Sequence, residues 1–458
     1  MLTPHSYAAA IHPESIAAEF PPPPFHIERF SSISVDELES VRYRRAKCTI
    51  ERAYALEFYR RLWRRVDFEP GDFNNLSQLD EIPFYTIDDI RESLEESPPF
   101  GLHQAPFGGG WSHTPHRIQF SGGTTGEPRP VLYTGQDREV HEILHARQLW
   151  SQGVRPGDTA VVSFAYGPHN AATGLHEAMY RWLGVLVLPL STGNVTSSEK
   201  QLAIASRYKA TTLLATSDYL LRLASLASNL GYDLAKDFNF RTFPTAGNTG
   251  AVEQAWGRPA YNHYGTYDLA AAAFECEGKN GLHLQEDAYV TQIGDVEDGM
   301  SVAEGTHGNL IVTSLYHQAY PIVRFNTLDL TRILPHRTCS CGLKFRRISG
   351  FEGRSDNMVK LRGINVWPEA LGRIVAEHPA SNGEYFCIAS RSGHYDELAI
   401  LIETATPESA ETKTELELLL HQRLGVHIAV HLRPHGSLAE LTGIETHSKP
   451  RRFEDKRK

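Results

Sequence analysis

The chain has 458 residues, 41% hydrophobic and 22% charged, a globular composition too long for one ordinary core, so at least two domains are expected. A formal net charge of −10 argues against a general nucleic-acid binder, which carries a basic surplus. The N-terminus lacks the basic start and apolar core of a signal peptide and no apolar run is long enough to cross a bilayer. Five cysteines are too few for a disulfide framework, so a cytoplasmic protein without membrane attachment is expected.

Residues 1–40, with Pro21 to Pro24, read as an irregular arm. Apolar residues at helical spacing (Ala55, Phe58, Tyr59, Leu62, Val66) predict one long amphipathic helix between Val41 and Val66. A glycine-rich stretch, Phe107 to Trp111, precedes the run IQFSGGTTGEPRPVLYT. From Thr159 the pattern alternates between strand (TAVVSFAY, VLVLPL, TTLLAT) and helix (HEAMYRWLG, SSEKQLAIASRY, SDYLLRLASLASNLG), the signature of parallel α/β layers. Ser217 or Asp218 and then Gly231 supply ends for the last of these helices. Between Gly308 and Leu334 the segments NLIVTSL, YPIVRFN and LTRIL suggest a β subdomain. After a charged turn near Asp356 the alternation of EALGRIVAEH, EYFCIAS, ELAILIET, KTELELLLHQRLG and HIAVHL predicts a small α+β domain.

The strongest local signal is Ser121, Gly122, Gly123, Thr124, Thr125, Gly126. Glycines let backbone amides close around an anion, and the hydroxyls add neutral donors. The spacing is not that of a Walker loop, since no Lys-Ser/Thr follows. A flexible Gly/Thr linker is the plainer alternative, but the flanks Arg117–Phe120 and Val131–Thr134 are strand-like. The run resembles the phosphate-binding motif of the adenylate-forming superfamily, which comprises acyl-CoA ligases, nonribosomal adenylation domains and luciferases. The resemblance extends from about Glu51 to Arg452 and is strongest to the phenylacetate–CoA ligase branch, which shares a segment like IPFYTIDDIRES and a late pair of cysteines.

That resemblance implies a large N-terminal AMP-binding domain (1–355), built of parallel α/β layers plus a β subdomain, and a small mobile C-terminal α+β domain (356–458). It implies ATP and Mg²⁺, with coenzyme A as co-substrate, and activation of a small aromatic acid as its acyl-adenylate. Tyr264, Gly265, Thr266, Tyr267 and Asp268 occupy the place of the Tyr-Gly-x-Thr-Glu motif. Tyr264 would then lie near adenine, Gly265 and Thr266 would count among the nucleotide-binding residues, and Asp268 would hold magnesium, a hard cation that takes oxygen ligands. Tyr267 stands where Thr is usual. In YPIVRFNTLDLTRI, Asp329 matches the carboxylate that accepts from both ribose hydroxyls, with Leu328 replacing a customary glycine. GRSDNMVKLRGINVWP matches the hinge motif, with Arg354 toward ribose and phosphate and Asp356 as the hinge. In THSKPRRF, Lys449 corresponds to the catalytic lysine, whose ammonium would stabilise charge as a carboxylate attacks the α-phosphate. Taken singly, each of these stations also reads as a surface turn, a structural Asp or a solvated basic tail.

Cys276, His283, Cys339 and Cys341 supply the donors of a closed tetrahedral structural zinc site, found at matching stations in some relatives, or else inert thiols. The resemblance places the acyl pocket at Ser163 to Gly174 and Pro244 to Asn248. There Tyr166, His169, Asn170 and Asn248, with Ala246 and Gly247, suggest an aryl acid bearing a hydroxyl or amino group; His169 equally suits a core histidine. The acceptor after adenylation is CoA by resemblance, with an amine or a carrier protein as alternatives. Departures at Leu328, Tyr267 and Glu127 also admit a nucleotide-binding regulator, against which the joint presence of Asp268, Asp329, Arg354 and Lys449 speaks. A homodimer through the N-terminal helix is compatible with the branch.

Overall fold

The computed structural model describes residues 11–105, 116–121, 128–168, 170–362, 364–392, 395–443 and 450–457. The N-terminal arm is more regular than the sequence suggests. It forms short helices at Pro13–Glu19 and Phe25–Ser32, the first opened by proline at its N-terminal turn. The long helix α1 (Val35–Tyr54) starts nearly two turns earlier than expected, because the Ser34 hydroxyl caps it by accepting from the Glu37 amide. It also stops sooner. Leu56 is extended, and the freed carbonyls of Tyr54 and Ala55 accept from the Arg60 guanidinium before a second helix begins at Glu57–Trp63.

β1 (His116–Phe120) and β2 (Pro130–Thr134) form an antiparallel hairpin. Thr134 then opens α2 (Gly135–Ser151) with a capping box: its hydroxyl accepts from the Asp137 amide and the Asp137 carboxylate accepts from the Thr134 amide. β3 (Thr159–Val162), β4 (Leu186–Pro189) and β5 (Thr212–Leu214) are mutually parallel in the order β4-β3-β5. Between them run α3 (Asn170–Glu177), which continues into a wider turn at Ala178–Leu183, and α4 (Ser198–Arg207). α5 (Ser217–Asn229) leads to β6 (Phe243–Thr245), and α6 (Thr249–Trp256) to β7 (Ala260–Tyr264), parallel to β6. A parallel bridge between Thr212 and Thr242 joins the two sets of strands. β8 (Ala273–Glu275), β9 (Leu282–Leu284) and the two-residue strand Arg347–Ile348 extend the β7 edge antiparallel.

A second antiparallel sheet, the expected β subdomain, contains β10 (Tyr289–Gly294), β11 (Gly308–Ser314), β12 (Phe325–Thr331) and Gly353–Arg354. The segment YPIVRFN contributes to the sheet only from Phe325; Arg324, with φ of 54°, interrupts the extended backbone ahead of it. Beyond Met358 a separate core, including Val359, Leu371, Ile400, Leu416 and Val430, belongs to the small C-terminal α+β domain. There α7 (Pro368–Val375) and α8 (Ala410–Leu424) accompany a sheet of the hairpin β13 (Ser381–Ser392) and β14 (Tyr395–Thr404), flanked by Ala429–Pro434 and Phe453–Asp455. The fold is α/β, with a large N-terminal and a small C-terminal domain. Among the described residues no helix is long and apolar enough to cross a membrane.

Candidate active site

β3, β5, β6 and β7 all run the same way, so their carboxyl ends share one edge of the sheet, where open α/β folds bind ligands. The acyl-pocket and nucleotide candidates follow those ends: Tyr166 after β3, Ala246 to Asn248 after β6, and Tyr264 to Asp268 from the last residue of β7 onward. The turn after β7 is tight. A Cβ on Gly265 would lie 2.6 Å from the Ala270 carbonyl oxygen, a backbone atom that cannot yield.

Four of the expected residues meet here. The Tyr264 hydroxyl donates to Asp329 Oδ2 at 2.7 Å, and Arg354 Nη1 donates to Asp329 Oδ1 at 3.1 Å. Arg354 Nε and Nη2 also donate to the two oxygens of Asp356 at 2.8 and 2.7 Å. Antiparallel pairing of Asp329 with Arg354 creates this corner. Burial lowers the Arg354 pKa, but the hydrogen bond to Asp356 and the charges of Asp329 and Asp356 more than reverse the effect. Leu328 keeps a left-handed backbone, φ 61°, in the place of the customary glycine. Two local bonds hold it: its amide donates to Asn326 Oδ1 at 2.9 Å, and the Asp329 amide donates to the Thr327 hydroxyl at 3.2 Å.

Asp268 lies close by but is engaged. Arg129 Nη1 and Nη2 donate to its two oxygens at 2.5 and 2.8 Å, and both side chains are buried. A magnesium ion on Asp268 would have to share or displace that guanidinium. The pair also fixes the base of the hairpin: Ser121 Oγ and the Arg129 amide are 3.0 Å apart, and the Ser121 amide donates to the Arg129 carbonyl at 3.0 Å. Gly122 to Gly126, Glu127, His169 and Lys449 lie outside the described residues. Thr266 Oγ1 and the Tyr267 hydroxyl are buried and have no hydrogen-bond partner among the described residues.

The acyl-pocket candidates divide. Asn248 commits Oδ1 to capping α6, accepting from the Ala251 amide at 3.1 Å. Asn170 is a buried hub: Oδ1 accepts from Arg138 at 2.7 Å, while Nδ2 lies 3.1 Å from the Tyr133 hydroxyl and 2.8 Å from His141 Nε2. Its amide therefore organises α2 and β2 beneath the pocket segment. The Tyr166 hydroxyl lies 3.0 Å from His176 Nδ1. The sequence did not single out Arg129, Arg138 or His141, whose partners are distant in the chain; only the position of Arg129 beside the glycine loop pointed that way.

Cys276, His283, Cys339 and Cys341 bring their donor atoms within 4.8 Å of one another. Cys276 Sγ and Cys339 Sγ are 3.4 Å apart, as are Cys341 Sγ and His283 Nε2, near the tetrahedral edge of about 3.8 Å that zinc–sulfur bonds give. His283 Nδ1 lies 3.2 Å from the Phe345 carbonyl, which fixes the tautomer that leaves Nε2 free to ligate. The donor set and its orientation fit zinc.

Comparison with known proteins places this geometry. Residues 363–457 match the AMP-binding enzyme C-terminal domain family. The chain superposes on 2-hydroxyisobutyryl-CoA ligase in its postadenylation state with TM-score 0.83, at 23% identity over 94% of this chain and 92% of that one. On the same ligase in its thioesterification state, with equal coverage, the TM-score is 0.68 at 24% identity. Fold and motifs together define an adenylate-forming ligase. Phenylacetate–coenzyme A ligase from Escherichia coli (strain K12) is 31% identical over 406 residues, 86% of this chain and 89% of that protein. The corresponding ligase of Aromatoleum evansii is 29% identical over 452 residues, 95% of this chain and 98% of that protein. The chain belongs to the phenylacetate–coenzyme A ligase family.

Proposed function

We propose that the protein activates a small aromatic carboxylic acid with ATP, releasing pyrophosphate and forming the acyl-adenylate, and then transfers the acyl group to coenzyme A. The convergence of Tyr264, Asp329 and Arg354 at the carboxyl edge of the parallel strands carries this reading. Asp329 presents acceptor oxygens for ribose hydroxyls, Tyr264 borders adenine, and Arg354 supplies positive charge toward ribose and phosphate. Ser121 and the glycine loop Gly122 to Gly126 would hold phosphate, with Thr266 Oγ1 as a further donor and Lys449 as the catalytic cation. Asp268 would hold magnesium once Arg129 turns from it toward phosphate. The large domain (1–355) and small domain (356–458) would meet at Asp356, the hinge for alternation between the two half-reactions. Tyr166, His169, Asn170, Ala246, Gly247 and Asn248 remain the acyl-pocket candidates, with Asn170 acting through the buried α2 network. Zinc would staple the segment after β8 to the Cys339–Cys341 turn. Free thiols throughout the described chain suit a reducing cytoplasm.

The deciding experiment incubates the protein with Mg-ATP and a panel of aryl and alkyl acids and records pyrophosphate release with and without CoA. Release that depends on an aryl acid, rises with CoA and disappears in Lys449→Ala is expected. Acid-dependent release indifferent to CoA would move the acceptor to an amine or carrier protein. Bound ATP without release would identify a nucleotide-binding regulator.

A further inference from the structure

Arg452 is held from inside the small domain on several sides. Its Nη2 and Nη1 donate to the two carboxylate oxygens of Glu384 at 2.7 and 2.9 Å, and Nη1 also reaches the Tyr385 carbonyl at 3.0 Å. Its guanidinium carbon lies 5.0 Å from the centre of the Tyr385 ring. Its own carbonyl accepts from the Cys387 amide at 2.9 Å, so the backbone is fixed to β13 as well. These partners all belong to the small domain.

One further contact does not. Arg452 Nη2 donates to Asp218 Oδ2 at 2.5 Å, across 234 residues of sequence. Asp218 lies in the first turn of α5, in the large domain. Its neighbour Ser217 receives the Asn248 amide on its hydroxyl at 3.1 Å and donates its own amide to the Ala246 carbonyl at 3.1 Å. The anchor for Arg452 is therefore one residue from the turn that the acyl-pocket candidates occupy.

We propose that Asp218 and Arg452 form a clasp that positions the small domain for acyl-adenylate formation and parts before acyl transfer. This rests on the two-step reaction proposed above. Three observations carry it. Arg452 is prearranged by Glu384 and Tyr385, so closing the clasp orders little beyond Asp218 itself. Opening leaves the Arg452–Glu384 pair intact and returns to water a carboxylate whose side chain is already 27% exposed, so the contact is strong enough to bias an arrangement and weak enough to release. The chain also superposes better on a relative's postadenylation state, which holds the formed adenylate and precedes acyl transfer, than on that relative's thioesterification state. Asp218 and Arg452 are thus positioning residues, acting on the geometry between the domains.

The test separates the half-reactions in full-length protein. Asp218→Asn keeps shape and removes the charge; Asp218→Glu restores it. In single turnovers with Mg-ATP and the acid, Asp218→Asn is expected to form acyl-adenylate about threefold to fivefold more slowly, the scale of one partly exposed ion pair. With synthetic acyl-adenylate and CoA it should make thioester at least as fast as wild type, and Asp218→Glu should recover adenylation. Equal losses in both half-reactions, or no change in either, would overturn the clasp. Failure of wild type itself to form any adenylate would instead refute the functional reading. Small-angle scattering then judges the clasp alone: a shift of Asp218→Asn toward a more open distribution supports it, and a profile identical to wild type overturns it.

Discussion

Arg129 and Asp268 place opposite full charges in a site nearly closed to water, and both Asp268 oxygens are satisfied by one guanidinium. Breaking such a pair from one side is costly because the remaining charge keeps its desolvation penalty without its partner. Arg129→Met is therefore expected to destabilise the protein by about 3 kcal/mol, whereas Arg129→Met with Asp268→Asn should lose distinctly less, since no buried charge is stranded. Thermal unfolding of the four members of this cycle measures the coupling. If the pair also guards a magnesium site, Mg²⁺ should raise the melting temperature of Arg129→Met more than that of wild type. Equal Mg²⁺ effects would leave Asp268 a structural partner of Arg129 only.

The Cys276, His283, Cys339 and Cys341 cluster joins two elements: the turn after β8, carrying Cys276 and leading to His283, and the turn holding Cys339 and Cys341. Each thiol alone is an ordinary cysteine, and the cluster exists because the β8–β9 hairpin and the two-residue strand Arg347–Ile348 lie side by side in one sheet. Purified protein is expected to contain about one zinc per chain; chelation or Cys341→Ser should lower the melting temperature by about 10 °C. Elemental analysis and a chelator titration check both, and metal-free protein of unchanged stability would rule out the staple. The elements visible in the sequence share a local cause: α5 and α8 have apolar stripes and terminal glycines, and the Tyr-Gly turn and the segment Gly353 to Pro368 carry distinctive residues. α2 was not visible. Asp137, Arg138, Glu139, His141, Glu142, His145 and Arg147 are all buried on it, because their partners arrive from elsewhere, Asp287 to Arg147, Arg181 to Glu139 and Glu142, and Asn170 to Arg138. The early end of α1 was equally hidden, since no Gly or Pro marks it and a side chain, Arg60, absorbs the carbonyls.

At the scale of the whole molecule the buried titratable groups set how the large domain responds to acid. Burial lowers His26 to about 2 and His103, His145 and His317 to about 3, and it lowers His141 well below the ordinary 6.5. A histidine with a depressed folded pKa stays neutral in the fold while the unfolded chain takes up a proton. Its contribution is thus present above pH 6.5 and lost as pH falls, by up to about 1.4 kcal/mol per unit for each group. Three carboxyls act in the opposite sense: burial raises Glu142 to about 7 and Asp137 to about 6, and it raises Glu275 as well, so these favour the fold as pH falls. Five histidines outweigh three carboxyls, and a net loss of a few kcal/mol is expected between pH 7 and 5.5. His317 offers a clean probe. It is fully buried, neither ring nitrogen has a hydrogen-bond partner among the described residues, and its ring packs 4.2 Å from that of Tyr316. His317→Phe preserves the packing and removes the proton site, so its melting temperature should fall less steeply than that of wild type below pH 6.5. Parallel curves would mean that His317 takes up its proton within the fold and that acid lability originates elsewhere.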